Sequence, residues 1–145
     1  MPAYLFQSTI SGHNYELARF IQDHCAGHLT WWPNSAALPP LTAADCLIIV
    51  PATTGAGEPS DTGRQFAQAL LAAAPVPAAF WVCGIGDAGY GADFAGAVTF
   101  FDQLLAQTGG RRLLRPLKLD YELDQANQKR VLAALAKLEG GLNHA

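Results

Sequence analysis

Short runs of consecutive apolar residues recur along this chain, and the stretches between them have a helical period. The clearest run is Cys46–Val50, and similar runs occur at Ala3–Gln7 and Ala78–Cys83. A short apolar run of this kind is typical of a parallel strand that is buried on both faces of its sheet. The recurring pattern therefore predicts an α/β fold, in which helices cover both faces of a parallel sheet.

Two further strands and four helices complete the predicted order. The second strand is predicted at Leu29–Trp32 and the fifth within Leu113–Asp120; the helices are predicted from about Ser11, from Thr62 to Ala73, from Asp93 to Thr108, and after an N-cap at Asp124, with Gly109-Gly110 as a stop. The order is β-α-β-β-α-β-α-β-α, or (βα)₅ with a further short helix between the second and third strands. Both orders predict five parallel strands with right-handed crossovers.

Composition limits the class of protein. The chain has 145 residues, half of them hydrophobic and 14% charged, so we expect one domain over residues 1–145 with a sizeable core. The net charge of −3 disfavours a nucleic-acid partner. Cys25, Cys46 and Cys83 are an odd number without metal-type spacing, which favours the reducing cytoplasm over a disulfide framework.

Two segments bear on targeting and membrane insertion. Met1–Phe6 has no basic region before its apolar residues, so we expect no signal peptide. Gln65–Gly86 carries no charge and is long enough to cross a bilayer, but Pro75 and Pro77 interrupt it. We expect a helix, a turn and a buried strand there instead, and no membrane partner.

Three loops rich in glycine and hydroxyl groups follow the first, third and fourth predicted strands. They are residues 8–14, 53–61 and 84–91, called here the first, second and third loops. The carboxyl ends of parallel strands meet at one edge of a sheet, where α/β proteins bind their ligands. The sequence therefore predicts one binding site built from all three loops.

The first loop has the composition of an anion site. It offers hydroxyl groups at Ser8, Thr9 and Ser11 just before a predicted helix, whose N-terminal N–H groups attract anions. No Lys or Arg occurs before residue 19, which disfavours a nucleoside triphosphate with Mg²⁺ and favours a single phosphate held by neutral donors. On this segment alone, an ordinary polar helix cap is an equally good interpretation.

Taken together, the three loops resemble those of the flavodoxin family. The first, Thr9-x-Ser11-Gly12-x-Asn14, is similar to T/S-x-T-G-x-T; the second, Thr53-Thr54-Gly55-Ala56-Gly57-Glu58-Pro59-x-Asp61, to T-x-G-x-G-E/D; and the third, Gly84-Ile85-Gly86-Asp87-x-x-Tyr90, to G-L-G-D-x-x-Y. The resemblance covers essentially the whole chain and is closest to the short, MioC-like flavodoxins. It implies a flavodoxin-like three-layer fold with strand order 2-1-3-4-5 and FMN bound non-covalently.

The resemblance also implies where FMN lies. Its phosphate would lie on the first loop and its ring between Thr54–Gly57 and Gly86–Tyr90, with Tyr90 stacked on the ring and Thr54 where many flavodoxins carry Tyr or Trp. The implied cofactor-binding residues are Ser8, Thr9, Ile10, Ser11, Gly12, His13, Asn14, Thr53, Thr54, Gly55, Ala56, Gly57, Gly84, Gly86, Asp87, Tyr90 and Phe94. We hypothesise that the Gly55–Ala56 peptide turns its carbonyl toward N5 of the flavin, since Gly tolerates positive φ.

The implied function is transfer of single electrons by a monomer. The donor would be a separate reductase of the flavodoxin/ferredoxin reductase type, and the acceptor an enzyme that the sequence does not identify. Two alternatives stay open: an FMN-dependent NAD(P)H quinone or azo-type reductase, and a degenerate flavodoxin-like binding module without flavin. A phosphorylation receiver domain is excluded, because Gln7-Ser8 and Val50-Pro51 occupy the places where it needs acidic residues.

Overall fold

A computed structural model of the chain describes residues 3–8, 12–25, 29–31, 41–54, 57–87, 89, 91 and 94–143. Its elements are β1 (Ala3–Gln7), α1 (His13–His24), β2 (Leu29–Trp31), β3 (Cys46–Val50), α2 (Asp61–Ala73), β4 (Ala79–Gly86), α3 (Gly96–Gln107), β5 (Arg111–Arg112), β6 (Leu117–Asp120) and α4 (Gln125–Asn143). The predicted alternation of strands and helices is confirmed. Any helix within residues 32–40 would lie outside the described residues.

The strands form one parallel sheet in the order β2-β1-β3-β4-β5, with β6 also paired to β4. This arrangement confirms the predicted α/β fold and its 2-1-3-4-5 order. The strand predicted within Leu113–Asp120 is β6 (Leu117–Asp120), and the short strand β5 (Arg111–Arg112), which was not predicted, precedes it on the same edge of the sheet. Phe80 of β4 pairs with Arg112 of β5, and Cys83 of β4 pairs with Leu117 of β6. These two pairs are three residues apart on β4 and five residues apart on the edge, so the edge carries a two-residue bulge.

Strand β4 separates two apolar cores. Its residues alternate in direction, so Trp81, Cys83 and Ile85 pack toward α1 and α4, while Phe80 and Val82 pack toward α2 and α3. We call these the α1 face and the α3 face of β4. Because both faces are buried, the strand is apolar throughout, as the sequence predicts.

Two helix boundaries agree with the sequence. Asp124 caps α4, its Oδ1 accepting the Asn127 N–H at 2.8 Å. Helix α3 ends before Gly109, which has a φ of +100°, and the Gly110 N–H bonds the Leu105 carbonyl at 2.8 Å. This is a Schellman end, which requires a residue such as glycine in the left-handed region.

The starts of α2 and α3 differ slightly from expectation. Ser60 caps α2, its Oγ accepting the Gly63 N–H at 3.3 Å, so Asp61 is the first helical residue. Helix α3 begins at Gly96 rather than Asp93, after Ala95 in the left-handed region with a φ of 46°. Residue 93 itself lies outside the described residues.

The uncharged stretch 65–86 folds as predicted, into the end of α2, a turn and β4. Within the described ranges, no helix has both the length and the apolar character needed to cross a bilayer.

Candidate functional site

Side-chain hydrogen bonds join the first loop to the third loop and to the residues just before the second loop, at the carboxyl edge of the sheet. Ser8 Oγ accepts the Ala52 N–H at 2.8 Å, which connects the chain after β1 to the chain after β3. Asn14 Oδ1 accepts the Ile85 N–H at 2.7 Å, and its Nδ2 donates to the Ile85 carbonyl at 3.0 Å. The loops that the sequence places at one edge therefore do meet there.

The start of α1 is open. Gly12, its N-cap, has a φ of +91°, and a Cβ built on it would meet nothing within 4 Å. No Gly12 side chain exists to cap the helix, so the N–H groups of the first turn keep their capacity to bind an anion. A side chain at this position would adopt a strained backbone and would extend into the space in front of the helix.

His13 and Asn14 have different surroundings at this helix start. The His13 imidazole is exposed, with Nδ1 4.0 Å from a Glu16 carboxylate oxygen. Both polar atoms of the Asn14 side chain are bonded to Ile85. Asn14 therefore positions the helix against β4 with its side chain, while its backbone N–H belongs to the first turn, where N–H groups have no acceptor within the helix.

The second loop closes on itself. The Thr54 N–H donates to the Glu58 carbonyl at 2.7 Å, and the Gly57 N–H donates to the Thr54 carbonyl at 3.0 Å. Gly57 has a φ of +77°, a conformation that favours glycine. Thr54, the first residue of this closed turn, is exposed, and Glu58 forms an ion pair with Arg64 of α2.

The second loop is also fixed to the start of α3. Thr53 Oγ1 accepts the Ala97 N–H at 3.1 Å and so caps the first turn of that helix from a distant part of the chain. A Cβ on Gly96 would overlap the Gly57 carbonyl, so only glycine allows this close approach. The sequence analysis missed Gly96, because nothing in its local sequence shows that another loop contacts it.

The two glycines of the third loop pack against α3. A Cβ on Gly84 would lie 2.5 Å from Val98 Cγ2, and one on Gly86 would lie 2.8 Å from the Ala95 nitrogen. Both glycines belong to β4 and lie on its α3 face. Their absence of side chains brings the helix close to the strand end, which is a structural use of the G-x-G pattern.

Beyond β4 the third loop turns sharply. Asp87 is exposed, and its Oδ1 accepts the Gly89 N–H at 2.8 Å in an Asx-type turn. Phe94 is half-buried against the α3-side core, and Lys118 Nζ lies 5.9 Å from the centre of its ring. Asp87 in the third loop and Phe94 just after it thus place one carboxylate and one aromatic ring near the edge.

Six of the predicted cofactor-binding residues lie outside the described residues, namely Thr9, Ile10, Ser11, Gly55, Ala56 and Tyr90. Their contacts, including the predicted stacking of Tyr90 and the turn of the Gly55–Ala56 peptide, stay predictions.

Tyr121 is a residue at this edge that the sequence analysis missed. It follows β6, has a φ of +71° and donates its N–H to the Gly86 carbonyl at 2.7 Å. Its ring is 64% exposed and lies 6.0 Å from the His13 ring, centre to centre. No sequence signal identifies it, because its place depends on the register of β6 against β4.

Comparison with known proteins agrees with this geometry. The flavodoxin family profile matches residues 8–134. No curated protein matches the chain.

Solved structures of flavodoxins match over nearly the full length. Oxidised flavodoxin 1 from Bacillus cereus has a TM-score of 0.84 at 18% identity and covers 97% of this chain and 98% of its own. A cysteine-to-alanine mutant of the Pseudomonas aeruginosa flavodoxin gives 0.74 at 25%, covering 99% of each chain. The Fusobacterium nucleatum flavodoxin bound to flavin mononucleotide gives 0.78 at 13%, covering 96% and 97%. With the fold and the family profile in agreement, the chain belongs to the flavodoxin family, a family of FMN-binding electron-transfer proteins.

Proposed function

We propose that this chain binds FMN at the carboxyl edge of its sheet and carries single electrons between a separate reductase and an acceptor protein. The observation that carries the proposal is a set of three side-chain hydrogen bonds that hold the loops at one edge of the sheet. Ser8–Ala52 joins the first loop to the end of β3, Asn14–Ile85 joins it to the third loop, and Thr53–Ala97 joins the second loop to α3. When bound, FMN supplies reversible one-electron chemistry, which the described side chains do not provide. Family membership supports FMN as the cofactor.

The start of α1 suits the phosphate. The first-turn N–H groups carry the positive end of the helix dipole, and a Cβ built on Gly12 beside them would meet nothing within 4 Å. Asn14 holds this helix start against β4 through Ile85. Thr9 and Ser11 are proposed to add hydroxyl donors. A phosphate monoester fits this set of neutral donors better than a larger polyanion does.

The second and third loops suit the two sides of a flat ring. Each is held in place by close packing of glycine, Gly57 against Gly96 in one case and Gly86 against Ala95 in the other. Walls fixed in this way lose little entropy when a ligand binds between them. Thr54 presents a small, exposed side chain on one wall, and Tyr90 is proposed to cover the other side of the ring.

We assign the chain as a carrier rather than an enzyme with its own substrate. Residues 1–145 are proposed to form one flavodoxin-like domain, and its electrons are proposed to come from a separate reductase. We propose that the protein is a cytoplasmic monomer; its free cysteines Cys25, Cys46 and Cys83 fit a reducing compartment.

Binding of FMN and riboflavin to the purified protein tests the proposal directly. The two share the ring, and only FMN has the phosphate. Charge-assisted hydrogen bonds stabilise by about 1.5–3 kcal/mol each, so two or three of them are expected to give FMN at least a roughly 100-fold tighter Kd by calorimetry. Equal affinities would remove the phosphate site at α1. Binding of neither would leave the degenerate binding module as the function.

Steady-state oxidation of NADPH and NADH separates the carrier from the reductase. We expect the FMN-loaded protein alone to oxidise neither nucleotide, even with a quinone or azo dye present. Oxidation is expected only after a flavodoxin reductase is added. Turnover by the protein alone would establish the enzymatic alternative.

A substitution at Thr54 tests where the ring lies. Thr54→Trp offers an aromatic face, and an offset stack adds about 0.5–1.5 kcal/mol. We therefore expect FMN and riboflavin to bind roughly two- to tenfold more tightly. Thr54→Val, which keeps the size without the aromatic face, is the control and is expected to bind like the parent. A Trp variant with unchanged affinity for both ligands would place the ring elsewhere.

A further inference from the structure

A groove of about 580 Å³ lies between the interrupted edge strand and α4. Its apolar surface includes Leu114, Pro116 and Ala134, and its basic residues are Arg115, Arg130 and Lys137. Ligand sites commonly have volumes of roughly 300–1,000 Å³ and combine an apolar surface with a few polar groups. The groove has the size and composition of a small-molecule site.

The groove exists because of two local features. The two-residue bulge between β5 and β6 interrupts the pairing of the edge strand with β4, and the Trp81 indole N–H holds the Arg115 carbonyl there at 3.1 Å. On α4, Arg130, Ala134 and Lys137 share one face because they are four and three residues apart. The small alanine leaves a trough between two long cationic side chains.

Among the described residues, no ion pair neutralises the positive charge of this groove. None of the ion pairs found among the described residues involves Arg115, Arg130 or Lys137, and no described lining residue is acidic. The chain as a whole has a net charge of −3, so three cations around one groove differ from the average of its surface. Such a groove attracts an anion.

This groove is separate from the FMN edge. It includes Leu117, which pairs with Cys83, whereas the strand end is the Gly86–Asp120 pair three residues further on, roughly 10 Å away. Leu114 and Ala134 pack on the α1-side core. The loops proposed to hold the flavin ring are instead fixed to α3.

We propose that the groove binds a small amphipathic organic anion as a second ligand. Its apolar body lies on Leu114, Pro116 and Ala134, and its acidic group lies between Arg130 and Lys137. The apolar surface selects against inorganic anions, and the cations select against neutral hydrophobic molecules.

A matched pair of aromatic probes tests this proposal. The dye 1-anilinonaphthalene-8-sulfonate carries an acidic group on its rings, and N-phenyl-1-naphthylamine has the same rings without it. Equilibrium dialysis against the full chain saturated with FMN is expected to show one bound sulfonate dye per chain, with at least roughly tenfold tighter binding than the neutral dye, since a charged hydrogen bond contributes about that factor. Dialysis without FMN checks that the groove is independent of the flavin site.

Variants on α4 locate the site. Arg130→Gln with Lys137→Gln is expected to weaken binding of the sulfonate dye at least roughly tenfold while leaving the neutral dye unchanged. Lys129→Gln removes an exposed charge next to Arg130 but outside the groove, and it is expected to change binding less than twofold. FMN affinity is expected to be the same in both variants as in the parent protein.

Several results would overturn the proposal. Equal binding of the two dyes would mean that the groove attracts any hydrophobic molecule. Equal losses from Lys129→Gln and from the Arg130→Gln, Lys137→Gln double variant would mean a diffuse charge effect. Displacement of the dye by a polyglutamate peptide would make an acidic polypeptide the occupant. A dimer in sedimentation that Ala133→Trp dissociates would make it a second copy of this chain.

Discussion

The two faces of the end of β4 are held by different physical means. On the α3 face, Gly84 and Gly86 let Val98 and Ala95 approach until no space is left for a Cβ. On the α1 face, the side chain of Asn14 makes two hydrogen bonds to the Ile85 backbone. One face depends on shape, and the other depends on the pairing of polar groups.

The difference shows how one strand end serves two parts of the proposed FMN site. Close packing fixes distances between backbones, which suits the two walls of a slot for a flat ring. Hydrogen bonds to Ile85 fix the direction of α1 while leaving its N-terminal N–H groups open, which suits a phosphate. Substitutions on the two faces are therefore expected to differ in how much stability they remove, in whether a second substitution restores that stability, and in how they change FMN binding.

The largest loss is expected from Gly86→Ala. The new Cβ would lie 2.8 Å from the Ala95 nitrogen and 3.0 Å from its Cα, and backbone atoms cannot rotate away. We expect the free energy of unfolding to fall by about 3 kcal/mol in urea titrations. Gly91→Ala is the control, since its φ is +62° but its Cβ would meet nothing, and about 1 kcal/mol is expected there. Similar losses from both would attribute the effect to backbone strain.

A rescue experiment sharpens this prediction. Gly84→Ala brings its Cβ against Val98 Cγ2, a side-chain atom, so Val98→Ala should recover part of the lost stability in the double variant. If the losses in stability from Gly84→Ala and Val98→Ala simply added in the double variant, the contact between these two positions would not be the cause of the destabilisation.

A smaller loss is expected from Asn14→Leu on the α1 face. It leaves the Ile85 N–H and carbonyl without their partners, which costs about 2 kcal/mol. Hydrogen exchange of the Ile85 amide should accelerate accordingly. Asn14→Asp keeps an acceptor for that N–H, so it should be more stable than the Leu variant. Its negative charge near the start of α1 should weaken FMN binding more than Asn14→Leu does. The reverse order in stability would contradict the hydrogen-bonding role.

The α1 face also buries the thiol of Cys83, and this burial raises its pKa. The folded protein keeps the thiol proton while the unfolded chain releases it above about pH 9, so stability falls as the pH rises beyond that value. The loss is about 1.4 kcal/mol per pH unit for one thiol. Cys83→Ala should flatten the pH dependence of unfolding between pH 9 and 11 by that slope. The half-buried Cys25 serves as the control. If Cys25→Ala flattened the pH dependence equally, burial of the thiol would not be the cause.

The smallest loss is expected from Thr53→Ala. The substitution removes the hydroxyl group that accepts the Ala97 N–H, which is a polar contribution to the α3 face. We expect the free energy of unfolding to fall by about 1 kcal/mol. Thr53→Ser keeps the hydroxyl group and should unfold at nearly the parental urea concentration. Equal losses in the Ala and Ser variants would show that the methyl group, and therefore packing, matters at this position as well.

Some features of this fold were predictable from local sequence, and others were not. The run Cys46–Val50 and the stop at Gly109-Gly110 were predictable, because buried strands and Schellman ends depend on local composition. Gly84 and Gly86 were recognised as a motif, but their packing on α3 was not. Gly96 and Tyr121 gave no signal, since each is defined by a partner elsewhere in the chain.

The sequence by itself determined the alternation of strands and helices, the ends of several helices, and the placement of three polar loops after the strands that bring them to one edge. Only the tertiary structure decided which groups meet there. Asn14 bonds a residue 71 positions away, and Thr53 caps a helix 44 positions away. The physical reason is range: propensity and periodicity act between neighbours along the chain, whereas these contacts depend on strand register and on how closely two backbones approach.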